Sequence, residues 1–448
     1  MSYRFNCFVV LPDPDRSRLL LIRDGSGWAL PHIVFSESHF GVVEHVNRAV
    51  LERFGIPVTI LRCLYYRDQP DIEQMCAVYL AEAHDIPELR EGDWVDISSL
   101  NLSSLVPAEH IPVVEAWMSE AVCVNGGPVR PPWSAPGWYA ETVGWMEEQL
   151  QPTGRRVIGP VEQLRLWQRC CLLRAQTNRG EVYLKAVWGP FGHEPALTRQ
   201  LAALFPASVP QVLAADAERE LLITAQFAGT SLDEISDVVV WQRVARRYAE
   251  LQVESARDAE TWLRLGCPDR RLAVLAEQIG PLLTDTAPML PGQPGGLTPD
   301  EIARIQALGP VLAAGCTELG RLGLPATLSH GDLCPGNITI TARGPLFFDW
   351  SDTSLAHPFL DLEWLLHGIE ERFPSAPDIR DRLRDEYLEP WTVFAPLHHL
   401  REAFAVARPL SALHHALTYT RYILPRVDTD WEMADLVPFF LRMAITAF

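Results

Sequence analysis

The stretch LSHGDLCPGNITITARGPLFFDW, residues 328–350, decides how this chain is read. It sets His330, Asp332 and Asn337 in an H-x-D-x-x-x-x-N frame, followed by an apolar strand ITIT, a turn ARGP, a second apolar strand LFF, and Asp349. Asp332 and Asn337, five apart on one loop, can present a carboxylate to an attacking hydroxyl and an amide oxygen to a metal ion. The hairpin then returns the chain so that Asp349 meets the same metal from the far side. Phosphoryl transfer needs those parts: a positioned acceptor, and cations that screen the phosphates. Singly the pieces are ordinary, since H-G-D is common in loops and an asparagine near a proline-flanked turn is more often a turn former than a ligand. Frame, hairpin and second aspartate together are hard to obtain by chance.

Working outward, GEVYLKAVW at 180–188 holds Lys185, the single lysine among 38 basic residues. A nucleotide composition favouring arginine codons explains the missing lysines but not the survivor. Arginine is a planar fork and lysine a compact ammonium that meets phosphate as a point charge, so a phosphate-contacting position resists the exchange.

These segments resemble the catalytic and metal-binding segments of the aminoglycoside phosphotransferase and choline kinase superfamily, relatives of protein kinases. The resemblance covers roughly residues 130–448. It implies Asp332 as catalytic base, Asn337 and Asp349 as metal ligands, and Asp361, in HPFLDLEWLL, as a structural aspartate bracing the catalytic loop. Lys185, on the third apolar run of the small lobe, takes the role of the lysine that contacts the α- and β-phosphates. Glu194 is the only acidic residue between it and the end of the next helix, and so its pairing candidate. Residues 221–232, LLITAQFAGTSL, resemble the interlobe linker that receives a purine. The implied cofactors are ATP, with GTP possible, and Mg²⁺. Two features depart from the family pattern. LWQRCCLL stands where a glycine-rich loop is usual, and Cys334 stands where relatives frequently carry histidine. Cys334 is read as a packing residue, not a nucleophile.

The front of the chain, GWALPHIVF followed by NRAVLERFGIP, looks like the Nudix hydrolase frame G-x5-E-x7-R-E-U-x-E-E-x-G-U. Aligned on Gly55, Arg48 and Glu52 match. The other glutamates fall on Phe40, Ala49 and Arg53, and the opening glycine on Val34. A ring, a methyl and a cation cannot hold magnesium. The resemblance implies a retained scaffold without hydrolase chemistry.

The 48% hydrophobic content and 448-residue length suggest two or three folded domains. The expected architecture is α+β: a Nudix-like α/β/α domain over 1–124, a Pro/Gly/Trp-rich linker and helix over 125–152, and a protein-kinase-like two-lobed fold. The small β-rich lobe of that fold spans 153–228 and its large helical lobe 229–448. Residues 3–10 and 18–23 read as a hairpin, and Val43, Val46, Val50 and Phe54 as one face of a helix stopped by Gly55. Thr298 and Glu301, with Pro299 between, form a capping box. The start of the chain lacks a signal-peptide pattern, no apolar run reaches membrane-spanning length, and the nine cysteines include no C-x-x-C pair. A cytoplasmic location with reduced thiols follows. A net charge of −19 argues against nucleic-acid binding and is read first as solubility, only weakly as a fit to a cationic substrate.

The expected function is ATP-dependent phosphorylation of a small hydroxylated substrate, with the acid-rich 367–390 read as a solvated helix face before a polyamine or aminoglycoside site. His414 and His415 are read as packing or surface residues. Two other readings stay open: a non-catalytic kinase-like nucleotide sensor, and a hydrolase acting through the front domain.

Overall fold

A computed structural model describes residues 4–25, 27–36, 39–85, 88–122, 130–427, 429, 431 and 433–448. Its backbone contacts fall into two units, Met1–Trp188 and Gly189–Phe448.

In the first unit, β1 (Arg4–Val10), β2 (Arg18–Asp24), β3 (Gly27–Ala29), β4 (His32–Ser36), β5 (Val58–Gln69), β6 (Gln74–Ala83) and β7 (Asp93–Asp96) form two sheets, ordered β4-β1-β6-β5 and β3-β2-β7. The expected hairpin holds only at its turn. Pro12 bridges Leu19, and the buried Asp13 accepts from the amides of Ser17 and Arg18 at 2.8 and 3.0 Å. Beyond that turn β1 and β2 part into different sheets. With Phe5, Cys7, Val9 and Val10 buried, β1 is an interior strand, and it pairs antiparallel with β4 and parallel with β6. Helix α1 (Glu44–Phe54) buries Val46, Val50 and Phe54 and stops at Gly55, whose φ of 82° and amide bond to the Leu51 carbonyl make the left-handed cap read from the sequence.

Helices α2 (Ile111–Val122) and α3 (Trp138–Leu150) follow; the division expected at 124 lies outside the described residues. In the section read as linker and helix, Trp133 and Trp145 are buried, and the Gly137 amide donates to Glu82 Oε1 at 2.7 Å. Strands β8 (Glu162–Leu166), β9 (Cys170–Thr177) and β10 (Gly180–Val187) then run antiparallel, with Lys185 of β10 opposite Leu172. The front section is stitched to β8. Leu166 N–H donates to the Gly41 carbonyl at 2.8 Å and Val43 N–H to that of Leu164 at 3.0 Å. Where β5 bulges between Ile60 and Arg62, the buried Gln163 carboxamide accepts from Ile60 N–H at 2.8 Å and donates to its carbonyl at 2.9 Å, standing in for a strand partner.

The second unit opens with α4 (Glu194–Leu204), β11 (Val212–Asp216), β12 (Leu221–Ala225) and the short β13 (Thr230–Ser231). Then come α5 (Val238–Ser255), α6 (Ala259–Arg264), α7 (Leu272–Thr284) and α8 (Pro299–Arg321). Helix α5 is amphipathic, burying Trp241, Val244, Ala245, Tyr248 and Gln252 on one face. Helix α8 begins with the full capping box between Thr298 and Glu301. Next are β14 (Thr327–Ser329), β15 (Ile338–Thr341), β16 (Gly344–Phe347) and β17 (Ser354–Ala356). The chain ends in α9 (Leu362–Leu365), α10 (Ile369–Arg372), α11 (Ile379–Leu388), α12 (Leu397–Leu417) and α13 (Leu436–Thr446). One apolar core, including Trp241, Trp262, Phe359, Trp391 and Phe440, gathers these helices beneath the strands. The divisions at 152 and 228 remain expectations from the sequence. Among the described residues no helix is long and apolar enough to cross a membrane.

Candidate active site

The loop after β14 is held at both ends. β14 pairs antiparallel with β17, Leu328 opposite Leu355, while β15 and β16 make the expected hairpin from Ile338↔Phe347 to Thr341↔Gly344. Between them Gly331 takes φ 79°, and a Cβ there would come within 2.2 Å of the Asp352 carbonyl, so the middle residue of H-G-D has to be glycine. Asp361, 1% exposed, braces the loop as the resemblance implied. Its Oδ1 accepts from Ser329 Oγ at 2.6 Å and Gly331 N–H at 3.2 Å; its Oδ2 accepts from His330 N–H at 2.7 Å and from the Tyr248 hydroxyl. Burial and the neighbouring Asp361 charge raise the Tyr248 hydroxyl well above the usual tyrosine range, so it stays a neutral donor. Beneath it, Gln252 donates to the Leu328 carbonyl at 3.0 Å and accepts from Tyr387 at 2.6 Å.

This scaffold presents Asp332. Asn337 Nδ2 donates to Asp332 Oδ2 and to its backbone carbonyl, each at 3.0 Å, and Trp364 Nε1 donates to Oδ1 at 3.0 Å. With its nitrogen so committed, Asn337 has its amide oxygen as the atom to offer a cation. The Asn337 carbonyl accepts from Phe348 N–H at 3.1 Å, which brings the residue before Asp349 against the loop, and the Phe348 carbonyl lies 3.1 Å from His330 Nε2. Asp349 sits at φ 64°, a left-handed conformation uncommon outside glycine, and Ser351 Oγ donates to its Oδ1 at 2.7 Å. Asp332 and Asp349 both flank Cys334, whose thiol is pushed up to about 12, first by burial and then by the two carboxylates. A thiol so raised is no nucleophile at neutral pH, as read from the sequence.

The second unit thus brings together Asp332, Asn337 and Asp349. Lys185 lies on β10 in the first unit, and Glu194 is the buried first residue of α4. His414 and His415 are buried, with desolvation holding His414 well below the usual histidine range and His415 at about 4, consistent with packing residues. Much of the acid of 367–390 is paired with arginine: Arg380 with Glu370 at 2.7 Å, Arg401 with Asp385 at 2.7 Å, and Arg246 with Glu389 at 2.6 Å. At the front, Phe40 is buried and Arg53 is paired with Glu91 at 2.6 Å. Among the described residues no group of three or more His, Cys, Asp or Glu side chains is placed to hold a metal. Sequence reasoning missed Trp364, Tyr248 and Gln252. For the last two a signal existed, since they are polar residues at i and i+4 on the apolar face of α5.

Residues 191–402 match the family model of the phosphotransferase enzyme family. The matched span lies inside the second unit and includes Glu194, Asp332, Asn337 and Asp349, while Lys185 precedes it. No curated protein matches the chain. Among solved structures it is similar to choline kinase LicA from Streptococcus pneumoniae, at 15% identity over 68% of this chain and 99% of that one, with a TM-score of 0.47. It is also similar to wild-type aminoglycoside 2'-phosphotransferase-IIIa, solved with GDP, at 16% identity over 68% and 99% with a TM-score of 0.46. Macrolide 2'-phosphotransferase MphH from Brachybacterium faecium is similar at 19% identity over 66% and 98%, with a TM-score of 0.43.

Proposed function

We propose that the protein is an ATP-dependent phosphotransferase of kinase-like fold that moves the γ-phosphate to a hydroxyl of a small molecule. What supports this is the Asp332 carboxylate, gripped by N–H donors of Asn337 and Trp364 beside Asp349, within the segment that matches the family model. Asp332 orients the acceptor hydroxyl and takes its proton. The hydroxyl oxygen forms a bond to the γ-phosphorus as the bond to the bridging oxygen breaks, and the nucleoside diphosphate leaves. Asn337 and Asp349 offer an amide and a carboxylate oxygen, hard donors that suit Mg²⁺, an ion content with one or two protein ligands when phosphates and water complete its shell. Once bound there, it offsets phosphate charge.

In the same reading Lys185 steadies the nucleotide phosphates with Glu194 as its partner, and residues 221–232 receive the purine of ATP or GTP. The front section is a Nudix-like scaffold whose metal carboxylates are replaced by Phe40, Ala49 and Arg53. The partner is a small hydroxylated molecule, without nucleic acid or membrane, and the location is cytoplasmic. The test uses the full chain with ATP or GTP and a panel of hydroxylated amines and sugars, with mass spectrometry to find a phosphorylated product. Turnover in the wild type that is lost in Asp332→Asn is expected. Equal turnover in the two would show that Asp332 is not the base.

A further inference from the structure

We propose that Trp364 is a positioning residue for the base, its indole N–H fixing the direction of the Asp332 carboxylate. This rests on the phosphotransferase reading and adds a part to it. A carboxylate turns about its Cβ–Cγ bond, and a base must aim one lone pair at the acceptor hydroxyl, so its two oxygens need separate holds. Asn337 holds Oδ2 and Trp364 holds Oδ1, each at 3.0 Å. The two donors come from different elements: Asn337 lies on the loop itself, and Trp364 lies on α9 directly after Asp361. Residues 361–364 therefore control the base twice. Asp361 pins the amides of His330 and Gly331, and Trp364 pins the side chain that follows them.

The choice of tryptophan has a chemical reason. Indole N–H is a donor only, so it can neither take the substrate proton nor compete as a base. It is also uncharged, so it aims the carboxylate without the strong loss of basicity that an arginine in its place would bring. The ring is itself locked in place. It stacks on His367 at 5.6 Å and 15°, lies 5.6 Å from His415 and 5.3 Å from Phe440, and meets the edge of Phe439 at 6.3 Å. A donor mounted on so fixed a plate restrains what it touches.

Simple packing would account for the ring but not for the bond, and the experiment separates them. Trp364→Phe keeps most of the aromatic plate and removes the N–H. Turnover of the full chain is measured for wild type, Trp364→Phe, Asp332→Ala and the double variant. The expected result is a fall in kcat on the order of tenfold to a hundredfold in Trp364→Phe, the range seen when a hydrogen-bond partner that orients a metal ligand is removed. The nucleotide KM stays unchanged, the acid limb of the kcat–pH profile moves to higher pH, and no further loss appears in the Asp332→Ala background. A wild-type kcat and profile in Trp364→Phe, or an equal loss in both backgrounds, overturns the proposal. Spectra of the ¹⁵N-tryptophan-labelled chain report the contact without turnover. The indole signal that Trp364→Phe removes is expected to move in Asp332→Ala, and a signal that stays in place overturns the bond. Unchanged kcat in Asp332→Ala with a moved indole signal locates the failure in the base assignment, not in the contact.

Discussion

Two sets of carboxylates, one in each unit, differ in what holds them. At α1, Glu44 is shared by Arg48 and by Arg174 at 3.1 Å, and Glu91 is forked by Arg53 at 2.6 and 2.8 Å, which holds its carboxyl below the usual range. Around the loop after β14, Asp361, at the start of α9, is gripped by amides and hydroxyls, and Asp332, in the loop, by an amide and an indole N–H. An arginine fixes a carboxylate and cancels it. A neutral donor fixes it and leaves the charge to be used. The first arrangement suits a scaffold and the second a reactive centre.

That contrast is broken most readily at its strongest point. Asp332→Asn is expected to lower turnover by about 10²–10⁴-fold, the range for loss of a general base, as read by product formation. Next, Asp361→Asn turns an amide N–H toward groups that are themselves donors, and should cost about 3 kcal/mol in urea unfolding while abolishing turnover. A stability loss no larger than that of a surface change would show that the brace is dispensable.

Glu301 tests a mixed case, since it accepts from Arg442 at 2.9 Å and from the Thr298 amide at 2.7 Å. Those bonds, the arginine's first, hold its carboxyl down at about 2. A carboxyl depressed on folding contributes its stability above the unfolded value of about 4.3 and loses it as pH falls toward 2. Acid titration of unfolding should therefore show stability falling across that window, and Glu301→Gln should flatten part of the slope; an unchanged slope would remove Glu301 from the account. Thr298→Ala, which keeps the acid but removes the cap, is expected to cost about 1 kcal/mol. Smallest of all, Arg53→Ala should cost less than about 1 kcal/mol and leave turnover untouched, because its pair with Glu91 is open to solvent. A large effect on turnover there would erase the distinction between the two sets.

What could be read in advance follows how far apart in sequence the cooperating residues lie. The frame at 330–337, the hairpin and Asp349 are contiguous, so spacing alone carries them. The Gly55 stop and the Thr298 box are local chemistry of one helix end, equally legible. Trp364 reaches Asp332 across thirty-two positions and Gln163 reaches Ile60 across one hundred and three, and no local period records either partnership. β1 misled for the same reason, since its partner β6 lies more than sixty residues on, and a nearby apolar run looked like the obvious neighbour.

The Gln163 carboxamide carries a consequence for any attempt to shorten this chain. By answering both backbone polar groups of Ile60 in β5, it makes the front section and β8 each other's solvent. Cutting the first 124 residues away would strip the margin of β8 and invite it to recruit a strand from another molecule. The shortened protein is then an aggregating one, whatever becomes of its chemistry.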